Sequence, residues 1–161
     1  MAGVNKEEFP PILTPGFHVH DLVSLRRLCV SAFPDSITRA GIMNRLEALI
    51  HLMNHNGVVG QIWIDGSFLT QKLNPDDVDL LLILHPTDFT SMNAAQSNFF
   101  HWFLSNNLYQ SHRCDNYAVV FDRTAPEGEW NYAYWLRQFG FSRRNIMKGV
   151  VVMNVPFLVT S

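Results

Sequence analysis

Apolar residues recur along the first third of the chain at the spacing of amphipathic helices. After Asp21, the apolar positions of LVSLRRLCVSAF fall three and four residues apart, which predicts a helix that ends at Pro34. A second apolar stripe over residues 42–53 predicts a longer helix, with Asp35 as its N-cap and a stop at Gly57. Both stripes are assigned to the hydrophobic core.

Four short apolar runs that are rich in β-branched and aromatic residues predict strands. They are VVGQIWID (58–65), DVDLLLILH (77–85), CDNYAVVFD (114–122) and KGVVVMNV (148–155). A helix capped by Thr90 or Ser91 is predicted through AAQSNFFHWFLSNN, and another helix in GEWNYAYWLRQFG ends at Gly140. The opening FPPILTPGFH is predicted to be extended and turn-rich, because each proline lacks an amide donor.

The alternation of helices and strands predicts an α/β sandwich around one sheet. Since the 161 residues contain no repeat, linker or low-complexity segment, we expect one domain over residues 1–161. Hydrophobic residues make up 47% of the chain and charged residues 16%, which excludes a disordered protein. The net charge of −2 gives no global field that would attract nucleic acid.

The charges are unevenly distributed along the chain, although the net charge is small. Residues 130–161 contain Arg137, Arg143, Arg144 and Lys148 and no acid, so this segment either faces an anion or is a solvated basic face. Two cysteines without disulfide-like spacing, and an N-terminus without a signal-peptide pattern, favour the cytoplasm. No apolar stretch approaches the ~20 residues of a membrane span, so no membrane contact is expected.

Acidic residues stand where the predicted strand VDLLLIL begins, in the stretch GSFLTQKLNPDDVDL. Asp77 and Asp79 are two residues apart, so on a strand their side chains point to the same face. Burying such charges costs several kcal/mol unless they are paired or bound to a metal. Since carboxylate oxygens suit Mg²⁺, the pair predicts a hard-cation site that leaves coordination positions for phosphate and water.

Gly66 and Ser67 lie at the turn between the preceding predicted strand and about one turn of helix. Glycine lets the backbone approach a ligand closely, while the serine hydroxyl and the free amides of the turn can hold phosphate oxygens. The stretch therefore predicts a phosphate-binding turn next to a metal site. Ser67 as an ordinary helix cap is compatible with that role.

The order of an apolar strand, Gly-Ser, about ten residues and Asp-x-Asp in a second apolar strand resembles the nucleotidyltransferase superfamily with a DNA polymerase beta type of palm. That family takes a third carboxylate from a neighbouring strand, and Asp115 in CDNYAVV matches it. The wider chain, from FPPILTPGFH to YWLRQFGFSRRNIMKG, resembles small stand-alone bacterial nucleotidyltransferase-like proteins. The resemblance implies a mixed sheet of about four to five strands flanked by helices.

The resemblance also implies roles for individual residues. Asp77, Asp79 and Asp115 would be the catalytic residues and the ligands of Mg²⁺ or Mn²⁺. Gly66 and Ser67 would contact the triphosphate of a nucleoside triphosphate such as ATP, and Asp115 would help to deprotonate an attacking hydroxyl. The implied reaction transfers a nucleoside monophosphate to a hydroxyl of a protein or RNA, with pyrophosphate leaving.

Several residues in and around the motif have structural alternatives. Asp76 is interpreted as a turn cap after Asn74-Pro75. The alternative for Asp115 is an ion pair with Arg113. Lys72 and Lys148 either reach phosphates or are ordinary exposed lysines.

Other polar residues are given no role in the chemistry. Asp65 and Asp122 flank predicted strands and are interpreted as ordinary end residues. The seven histidines lack zinc-site spacing, and Cys114 is interpreted as a small buried hydrophobe.

The chain has no residues left to form the helical domain with which polymerase-like members bind a base or an acceptor. The acceptor would then dock on a partner protein, or the protein would act as a homodimer. The alternative hypothesis is a catalytically silent binding module of the same fold, such as the antitoxin of a toxin–antitoxin pair or a regulatory partner.

Overall fold

A computed structural model of the chain describes residues 6–156, in which five strands form one mixed sheet in the order β1-β5-β2-β3-β4. The strands are Gly16–Val19 (β1), Gly60–Asp65 (β2), Val78–Leu84 (β3), Cys114–Val120 (β4) and Gly149–Val155 (β5). Strand β2 is antiparallel to both β3 and β5, whereas β1 pairs with β5, and β3 with β4, in parallel. The predicted α/β fold with a mixed sheet is confirmed.

The helices of the described residues lie on both sides of this sheet. They are Leu22–Arg26 (α1), Arg39–His55 (α2), Pro86–Thr90 (α3), Ala94–Ser105 (α4), Tyr109–His112 (α5) and Pro126–Phe139 (α6). A π-helical turn, Arg27–Ser31, continues α1, and a 3-10 turn, Ser67–Leu69, follows β2. Strand β1 lies in the segment that the sequence predicts only as extended. Its four residues form a strand because they pair with β5, which is distant in sequence.

The two faces of the sheet are covered unequally. One face packs against α2 and α4 and forms the larger core with alternate residues of the central strands, such as Ile64 and Leu80. The opposite face packs against α6 through a smaller cluster that includes Trp63, Leu81 and Phe139. We call this second side the α6 face, and the candidate site lies on it.

The N-cap predicted for α2 is wrong, and α1 has a capping box that was not among the sequence predictions. Asp21 caps α1 in a capping box with Ser24. Helix α2 begins at Arg39 instead of directly after Asp35. The Ser36 hydroxyl accepts hydrogen bonds from the backbone amides that lead into α2, and it takes the role that the sequence assigned to Asp35.

The N-cap of α4 also differs from the prediction, which placed it at Thr90 or Ser91. Thr90 is the last residue of the short helix α3, and Ser91 follows it as the C-cap. The next helix, α4, begins at Ala94, where Asn93 and Gln96 form a capping box. The reciprocal pair supplies two side-chain to backbone hydrogen bonds, which neither Thr90 nor Ser91 could provide alone.

Arg39 is a fully buried cation that connects the segment after β2 to the helical layer. Its side chain is 0% exposed, and its guanidinium carbon lies 3.7 Å from the centroid of the Phe33 ring. The guanidinium donates hydrogen bonds to four carbonyl oxygens, those of Cys29 (2.9 Å), Phe68 (2.8 Å), Thr70 (2.6 Å) and Lys72 (2.7 Å). Backbone acceptors thus take the place of a carboxylate and fix the path of residues 68–72.

We predict that Arg39→Lys lowers the free energy of unfolding by on the order of 3 kcal/mol, because a point-like ammonium cannot reach all four carbonyl oxygens and leaves buried acceptors unsatisfied. Urea unfolding followed by circular dichroism measures the change. Arg27→Lys, at an exposed position in the same region, is the matched control and should have little effect. Equal stability of the two variants would contradict the role given to Arg39.

Candidate metal and nucleotide site

Three aspartates occupy neighbouring positions on three adjacent strands. In the register of the sheet, Asp65 on β2 stands opposite Asp79 on β3, and Asp79 stands opposite Asp115 on β4. Side chains alternate along a strand, and Asp65 and Asp79 lie two residues from Trp63 and Leu81 of the α6-face cluster. All three carboxylates therefore belong to the α6 face, where β2 ends and β3 and β4 begin.

Asp77 stands directly before β3 and adds a fourth carboxylate to this group. It is half-buried, and burial raises its pKa. The charges of Asp115 and Asp76 raise it further, whereas Lys6 and Lys72 oppose them. The structure thus brings together the three aspartates that the sequence predicted as ligands, and Asp65 with them.

Asp79 is the most strongly perturbed carboxyl group of the site. Burial is the largest cause, and it raises the pKa of Asp79 to about 7 together with the charges of Asp65, Asp77 and Asp115. Lys148 opposes this increase. No hydrogen bond to the Asp79 carboxylate is present within residues 6–156, so its ionised form lacks a compensating donor there.

Gly66 lies directly against the Asp79 carboxylate. Its φ of +91° belongs to the region that favours glycine, and a Cβ at this position would lie 3.0 Å from both Cγ and Oδ2 of Asp79. A larger residue would push the turn and the carboxylate apart. The turn that the sequence predicted as a phosphate contact is therefore in contact with the predicted metal ligand.

Ser67 begins the 3-10 turn after Gly66, and Gly66 itself is the residue in the N-cap position. The alternative that the Ser67 hydroxyl caps this turn is therefore wrong. Among the residues that the structure describes, that hydroxyl has no hydrogen-bond partner. It is available to a ligand that binds at the turn.

Asp65 is a buried member of the site, and its interpretation as an ordinary strand-end residue is wrong. It is 2% exposed, and its Oδ2 lies 2.5 Å from Nζ of Lys148. Its Oδ1 is buried without a hydrogen-bond partner in the described part of the chain. Burial raises the pKa of Asp65 to about 6, although the adjacent ammonium of Lys148 acts in the opposite direction.

Lys148 and Lys72, the two predicted phosphate contacts, occupy different surroundings. Lys148 precedes β5 and is paired with Asp65, inside the site. Lys72 lies 3.3 Å from Asp76, and Asp76 is exposed. The interpretation of Asp76 as a turn cap is wrong, because its carboxylate faces the Lys72 ammonium and accepts no backbone amide within residues 6–156. Phosphate contact by either lysine stays a prediction.

Asp115 is exposed, and its Oδ2 accepts a hydrogen bond of 2.8 Å from the Tyr117 hydroxyl. The alternative partner, Arg113, instead lies over the Tyr109 ring, 5.0 Å from its centroid. Asp115 forms no ion pair within the described residues. Tyr117 was not predicted from the sequence as a site residue. Strand alternation could have indicated it, because Tyr117 is two residues after Asp115 and therefore on the same face of β4, as Asp79 is relative to Asp77.

Two further expectations from the sequence have clear outcomes. Cys114 is fully buried in the larger core, as predicted. Asp122 follows β4, and its Oδ1 accepts hydrogen bonds from the amide and hydroxyl of Thr124, as expected of a residue at a strand end.

The carboxylates do not form a completed metal-binding group. Within residues 6–156, no set of three or more His, Cys, Asp or Glu side chains is arranged to hold a metal ion. The chemistry of the donors nevertheless fits a hard cation, because four carboxylates are crowded together and the buried Oδ1 of Asp65 lacks a partner. Asp77, Asp79 and Asp115 are the residues that would hold such a cation.

Comparison with known proteins identifies a family but no activity. A family model described as "Family of unknown function (DUF6932)" matches residues 7–154, and the chain belongs to this family. No curated protein and no solved structure gave a significant match. Among the described helices, none has the length and apolar character needed to cross a membrane.

We predict that Asp79→Asn stabilises the metal-free protein above about pH 7 and has little effect near pH 4. In the unfolded chain Asp79 titrates near its ordinary value of 3.8, whereas in the folded protein its pKa is about 7. Between these values the folded state holds the proton more tightly, so folding stability falls as pH rises, by on the order of a few kcal/mol. Asparagine carries no charge and avoids this loss.

Thermal melts in the presence of a chelator at both pH values measure this effect. Asp35→Asn, which removes an exposed carboxylate outside the site, is the control and should not change the pH profile. A profile that is the same in Asp79→Asn and in the unaltered protein would show that Asp79 ionises without penalty.

Proposed function

We propose that the protein is a metal-dependent nucleotidyltransferase, which moves a nucleoside monophosphate from a nucleoside triphosphate such as ATP to a hydroxyl of a protein or RNA. The observation that carries this proposal is the row of Asp65, Asp79 and Asp115 in register beside the turn of Gly66 and Ser67. Crowded carboxylates next to a glycine turn with an available hydroxyl support joint binding of a divalent cation and a triphosphate.

The residues of the site suggest a division of tasks. The Ser67 hydroxyl and the amides of its turn would hold the triphosphate, and Asp77 and Asp79 would be the main ligands of Mg²⁺ or Mn²⁺. The bound cation would supply charge neutralisation at the phosphates. Asp115 would accept the proton of the attacking hydroxyl, and this carboxylate already accepts a hydrogen bond from a hydroxyl group, that of Tyr117.

A cytoplasmic location is part of the proposal. Cys29 and Cys114 are both buried free thiols, which is the usual state of cysteines in a reducing compartment.

The second candidate is a catalytically silent binding module, such as an antitoxin that binds a cognate toxin. One observation favours it, namely that two of the carboxylates are already engaged by the chain itself. Tyr117 holds Asp115 and Lys148 holds Asp65, and no completed metal-binding group is present in residues 6–156. A relic of a nucleotidyltransferase would keep the fold while some of its carboxylates are satisfied internally, as Asp115 and one oxygen of Asp65 are here.

Nucleotide transfer is tested by incubating the purified protein with Mg²⁺, labelled nucleoside triphosphates and a cell lysate. We predict that the protein labels an acceptor and that Asp77→Ala combined with Asp79→Ala abolishes labelling without unfolding the chain. Asp76→Ala is the matched control, because Asp76 is adjacent but exposed and should be dispensable. Labelling that survives in the double variant would exclude these carboxylates from the chemistry.

Metal binding is tested separately through stability. We predict that Mn²⁺ raises the melting temperature at neutral pH, by an amount equivalent to about 2.7 kcal/mol at a cation concentration a hundred times its Kd. The increase should be small near pH 4, where protons compete for the carboxylates, and it should be lost in Asp79→Asn. An undiminished shift in that variant would indicate that the cation binds elsewhere.

Calorimetry with Mg²⁺ and each nucleoside triphosphate distinguishes the two candidate functions. The enzyme should bind a triphosphate only in the presence of the cation. A module that binds only a protein partner should show no metal-dependent nucleotide affinity.

A further inference from the structure

Tyr117 places a hydroxyl group within the carboxylate cluster. It lies two residues after Asp115 on β4 and therefore on the same face of the strand. Its Oη donates a hydrogen bond of 2.8 Å to Oδ2 of Asp115. Among the described residues, no other hydroxyl is hydrogen-bonded to Asp77, Asp79 or Asp115.

The phenol ring of Tyr117 is held in place and still reachable. Its centroid lies 5.5 Å from that of Trp135 and 6.5 Å from that of Phe139, so two residues of α6 restrict the motion of the ring. The side chain is nevertheless 40% exposed. A substrate bound beside the carboxylates can therefore approach the hydroxyl without unfolding of the α6 face.

The Tyr117 hydroxyl needs a base if it is to react, because a phenol keeps its proton at neutral pH. The only carboxylate that accepts a hydrogen bond from it among the described residues is that of Asp115, at 2.8 Å. A carboxylate at hydrogen-bond distance is the group that can accept the proton while a new bond forms at the oxygen.

We propose that Tyr117 is an internal acceptor and that the protein transfers a nucleoside monophosphate to its own Tyr117 hydroxyl. This inference rests on the proposed function and specifies an acceptor for it. The Tyr117 oxygen forms a bond to the α-phosphorus of the triphosphate, and the bond from that phosphorus to the bridging oxygen of the β-phosphate breaks. Pyrophosphate leaves with the electron pair, and the phenolic proton passes to Asp115.

Such a reaction limits itself to one nucleotide per chain. The modified oxygen is a phosphodiester oxygen without a proton, so it can neither donate to Asp115 nor react again. Asp115 then loses the hydrogen bond that occupies its Oδ2. Self-modification would thus release the carboxylate from its internal partner while the attached nucleotide fills the site.

The purified protein of 161 residues is incubated with Mg²⁺ or Mn²⁺ and each of the four ribonucleoside triphosphates, and its intact mass is measured over time. We predict the addition of one nucleoside monophosphate per chain, located on Tyr117 by peptide mapping. Tyr117→Phe, which removes only the hydroxyl, should abolish the addition. Tyr134→Phe should retain it, because Tyr134 is a 57% exposed tyrosine on α6 whose hydroxyl is not hydrogen-bonded to an acid among the described residues.

Metal and nucleotide binding are measured in the same samples, by the Mn²⁺-dependent melting shift and by calorimetry. Both should persist in Tyr117→Phe, because the phenol is not a proposed ligand. If the unaltered protein binds the triphosphate with metal but Tyr117 stays unmodified, or another residue carries the nucleotide, the internal-acceptor proposal is overturned and the proposed function stands. If metal-dependent binding is absent as well, both fail.

Discussion

Repulsion between carboxylates in register on three neighbouring strands is the constraint on which the rest of this structure depends. The pairing of β2 with β3 and of β3 with β4 sets Asp65, Asp79 and Asp115 side by side. Lys148 compensates one of these charges directly. Asp65 is buried and Asp79 is half-buried, and charges at such positions cost free energy unless they are paired or bound to a ligand. Two residues away along the same strands this face is apolar, at Trp63 and Leu81.

The elements around the row hold it in position. Gly66 allows the chain to leave β2 directly across the Asp79 carboxylate, and Arg39 then fixes the next residues through hydrogen bonds to the carbonyl oxygens of Phe68, Thr70 and Lys72. The turn between these two restraints has little freedom to move away from the carboxylates. The buried guanidinium of Arg39 thus supports the position of Ser67.

The parts of the site that could be predicted from sequence are those within one local motif. Gly66, Ser67, Asp77 and Asp79 fall in a single stretch, so turn chemistry and strand alternation were sufficient to group them. Asp65 is also close in sequence, but its role depends on the antiparallel register that places it opposite Asp79.

Residues brought together by tertiary structure were harder to predict. Lys148 reaches Asp65 only because β5 pairs with β2, and this pairing joins distant parts of the chain. The fold class was accessible because the apolar runs identify the strands. The capping residues of α2 and α4 could not be predicted, since several neighbouring polar residues are plausible caps and side-chain geometry selects among them.

The two candidate functions give different meanings to the same carboxylate cluster. Either one must explain why the half-buried Asp79 carboxylate has no hydrogen-bond partner in the described residues and why glycine with a positive φ lies against it. The proposed cation would compensate the charge of Asp79, and glycine at position 66 leaves room beside that carboxylate because a Cβ there would lie 3.0 Å from it. In the proposed enzyme Asp115 takes the proton of the attacking hydroxyl, and the hydroxyl of Tyr117 already donates a hydrogen bond to that carboxylate. The same hydrogen bond is a route for proton transfer if Tyr117 is the acceptor, and an internal partner that satisfies Asp115 if the protein is a binding module.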